Sequence, residues 1–232
     1  MLLVASAWLL IPQKHRWFRP GARLSFGALC WGLNLRIRAH GQPVAGPGTL
    51  YVANHISWAD IPVLAMVLDA AFVAKSEVRR WPAIGHFAWH FGCVFIEREK
   101  RGTTREQAEA VERHLRGPLG LVMFPESTTN DGRAVLPFRS SLFALVEGGG
   151  DTRVQPVTLL YRHADGRALN RQEARQVAWT GDDELLPNVI ALAARGGAVV
   201  DIWFEEPLVG FDRKHLARAS HAAIVARMAA AE

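Results

Sequence analysis

The chain has only two cysteines, Cys30 and Cys93, in 232 residues. Without a metal-ligand spacing or a second pair, they give neither a disulfide framework nor a zinc site, and a reducing, cytoplasmic setting is the default. No GxSxG turn occurs anywhere, which removes the nucleophile elbow of the serine hydrolases. There is no internal repeat and no low-complexity tract beyond an alanine-rich C-terminal stretch. No Gly- or Pro-rich segment is long enough to be an interdomain linker, so one domain with a small appendage is expected. No apolar run reaches the length of a membrane-spanning helix: the opening MLLVASAWLLIP covers roughly 18 Å as a helix, against a hydrocarbon core of about 30 Å. It also lacks a basic n-region, so it does not read as a signal peptide, although Ala5-Ser6-Ala7 mimics a cleavage site. Either it lies along an interface or it is the end of a longer apolar segment.

Half of the residues are apolar, which excludes a disordered chain, and lysine plus arginine outnumber aspartate plus glutamate 27 to 22. The excess lies largely near the N-terminus and around residues 98–116, a distribution that suits an anionic surface or substrate; nucleic acid is not among the expected partners. Tryptophan is abundant, eight residues in all. Trp8, Trp17, Trp31, Trp81 and Trp89 have Arg16, Arg19, Arg23, Arg36 and Arg80 near them, the mixture found at membrane interfaces. The segment ARLSFGALCWGLNLRIRAHG has an apolar body and arginines at both ends, as an interfacial helix does. Residues 1–35 are therefore expected to form membrane-associated helices, and residues 36–232 a separate folded domain.

From residue 36 the pattern alternates. Strands are expected near 36–40, 49–53, 71–75, 93–97, 120–124, 153–160, 175–179 and 198–204, with helices near 58–69, 82–91, 103–116, 139–147, 183–195 and 212–230. Several strands are near-continuous apolar runs (AAFVA, CVFI, GLVMF, VQPVTLLY), the mark of a sheet covered on both faces. The fold class is α/β, a mostly parallel sheet flanked by helices.

Three strand ends carry chemistry. In YVANHISWADIP, His55 ends an apolar run and Asp60 follows five residues later. On one continuous helix the two would point about 140° apart. They meet if His55 lies in the loop after the strand and Asp60 in the first turn of the next helix, where Pro62 is tolerated. An aspartate on one imidazole nitrogen fixes the tautomer and leaves the other nitrogen as a general base. With no nucleophile elbow, the nucleophile falls to the substrate, for instance a hydroxyl attacking a carbonyl. The strand CVFI runs into Glu97-Arg98-Glu99-Lys100-Arg101, where arginine can grip a phosphate or carboxylate. GLVMF ends in Pro125-Glu126-Ser127-Thr128-Thr129, a carboxylate among hydroxyls. Taken singly, each also reads as a cap or a solvated helix start.

In order, NHISWAD (54–60), GCVFIER (92–98), FPESTT (124–129) and VQPV (154–157) resemble the four sequence blocks of the glycerolipid acyltransferase family, over roughly residues 36–210. The resemblance implies transfer of a fatty acyl group from a thioester, on coenzyme A or acyl carrier protein, to a lysolipid hydroxyl at the cytoplasmic face of the bacterial inner membrane. It implies no metal and no bound cofactor. By it, His55 and Asp60 are the catalytic dyad, with Asn54 and Ser57 beside them at the substrate. Arg98 binds the acceptor's anionic group, Glu126, Ser127, Thr128 and Thr129 shape the acceptor site, and Pro156 lines the acyl side. Two features, Thr129 where phosphatidate-forming members more often have arginine, and VAWTGDDELLP (177–187), look more like the lyso-ornithine lipid acyltransferases; lysophosphatidate is the alternative acceptor. Ser127 departs from the family's usual glycine, and a positive φ there would carry a cost. Two other readings compete: a catalytically silent lipid-binding protein, and a lipid hydrolase using Ser57 or Ser127.

Overall fold

The computed structural model describes residues 18–97, 104–146, 152–181, 183–210 and 212–231. The opening segment up to residue 17, and Arg98 with the rest of its basic cluster, lie outside the described residues. In chain order the elements are α1 (Phe18–Gly32), β1 (Leu35–His40), β2 (Thr49–Ala53), α2 (Asp60–Val67), β3 (Ala70–Lys75), a 3₁₀ turn (Ser76–Arg80), α3 (Ile84–Phe91), β4 (Val94–Ile96), α4 (Thr104–Leu115), β5 (Gly120–Met123), α5 (Ser140–Phe143), β6 (Arg153–Arg162), α6 (Arg171–Val177), α7 (Leu185–Ala194), β7 (Ala198–Phe204), β8 (Leu208–Val209) and α8 (Arg213–Ala231).

The sheet runs β1-β7-β6-β2-β5-β3-β4, with β8 also paired to β6. All of its neighbouring pairs are parallel except β6 with β7 and β6 with β8. The apolar runs behave as their composition requires: β2 and β5 are buried along their whole length. One core layer, with Tyr51, Val63, Leu64, Leu159, Leu192 and Ile202, lies under α1, α2 and α7. The other, with Val52, Val111, Met123, Phe143 and Leu216, lies under α4, α5 and α8. Burying a side chain such as Leu64 or Phe143 is worth about 1.5–3 kcal/mol.

The parallel α/β architecture agrees with the sequence reading, one expected strand apart, and two local features call for a physical reason. Residues 175–179, expected as a strand, are the end of helix α6 and the extended segment after it. The reason is a capping box: the Asn170 side chain accepts the Glu173 N–H at 2.9 Å while the Glu173 carboxylate accepts the Asn170 N–H at 2.9 Å, satisfying two donors of a helix start. Val177 and Ala178 are buried and Trp179 half-buried, a run that packs against the core without pairing as a strand. The second is Pro156, inside a central strand where proline is normally resisted. It sits where the antiparallel partner of β6 changes from β8 (Arg153, Val154) to β7 (from Val157 on). Its carbonyl accepts the Glu205 N–H at 3.0 Å, so the missing donor faces the link between β7 and β8 and costs no ladder bond.

Helix α1 packs on the domain through Ala22, Phe26, Leu29 and Cys30, and Leu33 in the turn after it joins the same layer. Arg19 donates to the Phe91 and Ala70 carbonyls and pairs with Asp69 at 3.0 Å, and Arg23 donates to the Met66 carbonyl at 2.9 Å. Its other side leaves Leu24 (75 %) and Trp31 (85 %) exposed. Among the described residues no helix is long and apolar enough to cross a membrane.

Candidate active site

Strand β2 delivers His55 to the C-terminal end of the sheet, where ligands of open α/β folds bind. The next five residues turn back so that Asp60 opens α2. Asp60 is fully buried. One carboxylate oxygen, Oδ2, accepts His55 Nδ1–H at 2.8 Å, the Ile56 N–H at 2.8 Å and the Ser57 N–H at 3.0 Å. The other, Oδ1, accepts the Tyr161 hydroxyl at 2.8 Å. With four donors around it the side chain acts as a carboxylate, an acceptor only. That assigns the proton on His55 to Nδ1 and leaves the Nε2 lone pair unprotonated. Its place in the first turn of α2 adds the favourable end of the helix dipole, and burial, with the adjacent carboxylate, holds the Tyr161 hydroxyl well above the usual phenol range.

The imidazole lies flat against Phe124, with centroids 4.0 Å apart and planes 14° apart. The histidine side chain is 17 % exposed, enough for one edge to meet a substrate.

A second carboxylate holds the same residue from behind. Glu126, buried at the end of β5, accepts the His55 main-chain N–H at Oε1 (2.8 Å), and at Oε2 accepts Asn130 Nδ2–H (2.5 Å) and the Leu136 N–H (2.8 Å). Burial pushes its carboxyl up to about 7, while the Leu136, His55 and Asn130 hydrogen bonds pull the other way. The Asn130 N–H also donates to the His55 carbonyl at 3.1 Å. Gly132 closes this turn at φ +72°, where a Cβ would come within 3.1 Å of the Ile56 side chain.

The other predicted residues divide. Asn54 is buried and exchanges two hydrogen bonds with the Leu159 main chain, at 2.9 and 2.7 Å; it fastens the loop to β6. Ser57 is buried too, its N–H on Asp60, a position from which its hydroxyl cannot reach a lipid ester. Ser127 takes φ +65°, the left-handed conformation that the family glycine adopts without penalty. Thr128 is exposed, and the Thr129 hydroxyl donates to the Trp179 carbonyl. The Trp179 N–H donates in turn to the Ile56 carbonyl at 3.1 Å, so the VAWTGDDELLP segment is stitched to the dyad loop. Pro156 lies within the sheet, opposite Val52 in β2.

Sequence reasoning missed Tyr161 and the stacking role of Phe124. Tyr161 lies 101 residues from Asp60, and only the register of β6 beside β2 brings them together. Cys30 and Cys93 are free thiols that burial pushes up to about 11 and about 12, which keeps them protonated and unreactive. Among the described residues no cluster of three or more His, Cys, Asp or Glu side chains is placed to hold a metal ion.

The histidine and its partner carboxylate lie at the open end of the sheet, within the stretch, residues 36–160, that the acyltransferase family model matches. The chain belongs to this family and is an acyltransferase enzyme. It is 37 % identical over 225 residues, 93 % of this chain and 84 % of the other, to the lyso-ornithine lipid O-acyltransferase of Brucella abortus. To the protein of the same name from Rhizobium meliloti it is 35 % identical over 229 residues, 92 % of this chain and 77 % of the other. The crystal structure of the 1-acyl-sn-glycerophosphate acyltransferase of Thermotoga maritima superposes with a TM-score of 0.61 over 98 % of this chain and 88 % of that one, at 21 % identity. That likeness is one of fold.

Proposed function

We propose that the protein transfers a fatty acyl group from an acyl thioester, carried on acyl carrier protein or coenzyme A, to the hydroxyl of lyso-ornithine lipid, with His55 as general base and Asp60 as its orienting partner. The observation that carries the mechanism is the double hold on His55: Asp60 takes Nδ1 and Glu126 takes the main-chain N–H, which leaves Nε2 as the one nitrogen free for the substrate. The acceptor hydroxyl gives its proton to Nε2 as its oxygen attacks the thioester carbonyl. Asp60 stabilises the imidazolium that forms. When the tetrahedral intermediate collapses, the carbon–sulfur bond breaks and the same proton passes to the departing thiolate. Atoms and charge balance without a metal or a bound cofactor, and general-base assistance of this kind is typically worth 10²–10⁴-fold.

The acceptor assignment is supported by the names of the relatives that match over most of their length. It is supported too by Thr129, which binds the Trp179 carbonyl at a position where an arginine would bring a fixed charge. A zwitterionic headgroup with a carboxylate and an amine needs less such charge than a phosphate. The membrane-associated reading, with residues 1–35 on the cytoplasmic face of the inner membrane, draws on the exposed Leu24 and Trp31 of α1, and Arg98 remains the candidate for the acceptor's anionic group. The test offers purified protein a labelled acyl thioester with lyso-ornithine lipid in one reaction and lysophosphatidate in another. Product with the first alone is expected. Product with the second alone would overturn the acceptor and leave the dyad standing.

A further inference from the structure

Helix α7 contains no charged residue over its ten positions, LLPNVIALAA. Asn188 and Leu192 turn inward, while Leu186 (68 %) and Ile190 (60 %) stand exposed one helical turn apart, with Pro187 beside them. Two large apolar side chains at i and i+4, on a helix without solubilising charge, form a face and not a scatter. Leu192 of α7 and Ala22 and Cys30 of α1 belong to one core layer. The exposed residues of both helices, Leu24 and Trp31 on α1 and Leu186 and Ile190 on α7, therefore project from the same side of the sheet.

Two further observations say what meets this face. First, the groove beside α7 is lined by Arg171 and Arg175 of α6 along with Ala191. Arg175 is matched bidentately by Asp183 at 2.7 Å on both oxygens, and the exposed Arg171 remains to face outward. An apolar ridge flanked by charges of both signs, Arg171 and the exposed Glu184 at the helix start, fits the acyl and headgroup levels of a bilayer interface. Second, α7 is wired to the site. Trp58, three residues after His55, donates its Nε1–H to Asn188 Oδ1 at 2.8 Å, and Asn188 donates to the Ala178 carbonyl at 2.7 Å. Trp179 then bonds the dyad loop through Ile56 and anchors its own indole on the Asp183 carbonyl at 2.7 Å.

We infer that the Leu186/Ile190 face of α7 is a second bilayer-contact surface, separate from the N-terminal segment, that seats the lipid-bearing membrane against the loop holding His55. This rests on the acyltransferase reading above for the identity of the acceptor, but not for the contact itself. Such a surface lets a lysolipid pass from the leaflet to Nε2 without crossing water, and makes turnover on membrane-borne acceptor depend on a helix about 130 residues downstream of the dyad.

The test uses the full chain and vesicles of phosphatidylethanolamine with phosphatidylglycerol. Flotation is measured for the parent, for Leu186→Glu with Ile190→Glu, and for Leu186→Trp. All are exposed positions, and the thermal midpoint of each variant checks that it folds. The double glutamate variant is expected to partition about tenfold more weakly or worse. Its turnover on acceptor embedded in vesicles should fall in step, with turnover on a monomeric short-chain acceptor retained. The tryptophan variant should float at least as well as the parent. Undiminished flotation of the folded glutamate variant would overturn the proposal, as would a parent chain that dimerises through this face and loses only its dimer. Flotation requires no turnover, so loss of vesicle binding by a chain inactive on lyso-ornithine lipid would defeat the acceptor assignment and leave the surface standing.

Discussion

Two loops at the open end of the sheet hold His55, and they do so differently. The loop after β2 is braced by one carboxylate, Asp60, whose oxygens take two main-chain N–H groups, the imidazole and a tyrosine hydroxyl. It sits at a helix start and uses no residue with positive φ between 54 and 60. The turn after β5 is braced by Glu126, which burial pushes up to about 7, and it places Ser127 at φ +65°. Both carboxylates are buried, but the first meets four donors on a backbone without left-handed residues, and the second meets three beside a strained one. Under the mechanism proposed above, the charge that serves the reaction lies in the first loop, and the second is a support whose tightness depends on pH.

Breaking the first loop should have the largest effect. Asp60→Asn removes the acceptor that fixes the Nδ1–H tautomer and presents an amide donor to main-chain N–H groups. Turnover should fall about 10³–10⁴-fold, measured in a variant whose folding is verified by circular dichroism. Retention of more than a tenth of the activity would mean the carboxylate is not the orienting group.

Glu126→Gln probes the second loop. The amide accepts the His55 N–H but faces the Leu136 N–H with a donor, an unmatched buried pair worth about 1–3 kcal/mol, so roughly tenfold lower turnover is expected. It also carries a pH signature. Glu126 rises from 4.5 unfolded to about 7 folded, so between those values the folded chain keeps a proton that the unfolded chain has released. Its contribution to stability is complete below pH 4.5 and is lost as pH rises through 7, about 3 kcal/mol in all. The glutamine variant should flatten that part of the stability curve in denaturant unfolding. An unchanged slope would assign the pH dependence elsewhere.

The smallest effect belongs to Ser127→Gly. A left-handed non-glycine residue costs about 1–2 kcal/mol, partly offset by the extra chain entropy of glycine. The variant should gain about 1 kcal/mol, a rise of a few degrees in Tm, with turnover kept. A loss of stability would show that the serine side chain contributes more than its backbone costs.

The sequence made the α/β class, the order of strands and helices, and the meeting of His55 with Asp60 legible, because each is written in local terms: apolar runs, turn residues and one short spacing. It also marked Ser127, through the absence of an expected glycine. What stayed hidden depends on register or on competition. Tyr161 reaches Asp60, and Asn54 reaches Leu159, only through the pairing of β2 with β6. Glu126 turned out to grip main chain at His55 and Leu136, which no spacing announces. The expected strand at 175–179 gave way to helix α6 because Asn170 and Glu173 form a capping box five residues upstream, a signal present in the sequence and outweighed by the apolar run after it.

The most direct test of the account is turnover of His55→Ala, purified and folded, with acyl thioester and lyso-ornithine lipid. The account predicts loss of at least about 10²-fold with the thermal midpoint held close to the parent's, because the imidazole edge is exposed while Asp60 stays fully buried. Near-parental turnover in that folded variant would contradict the general-base role of His55 and the mechanism built on it.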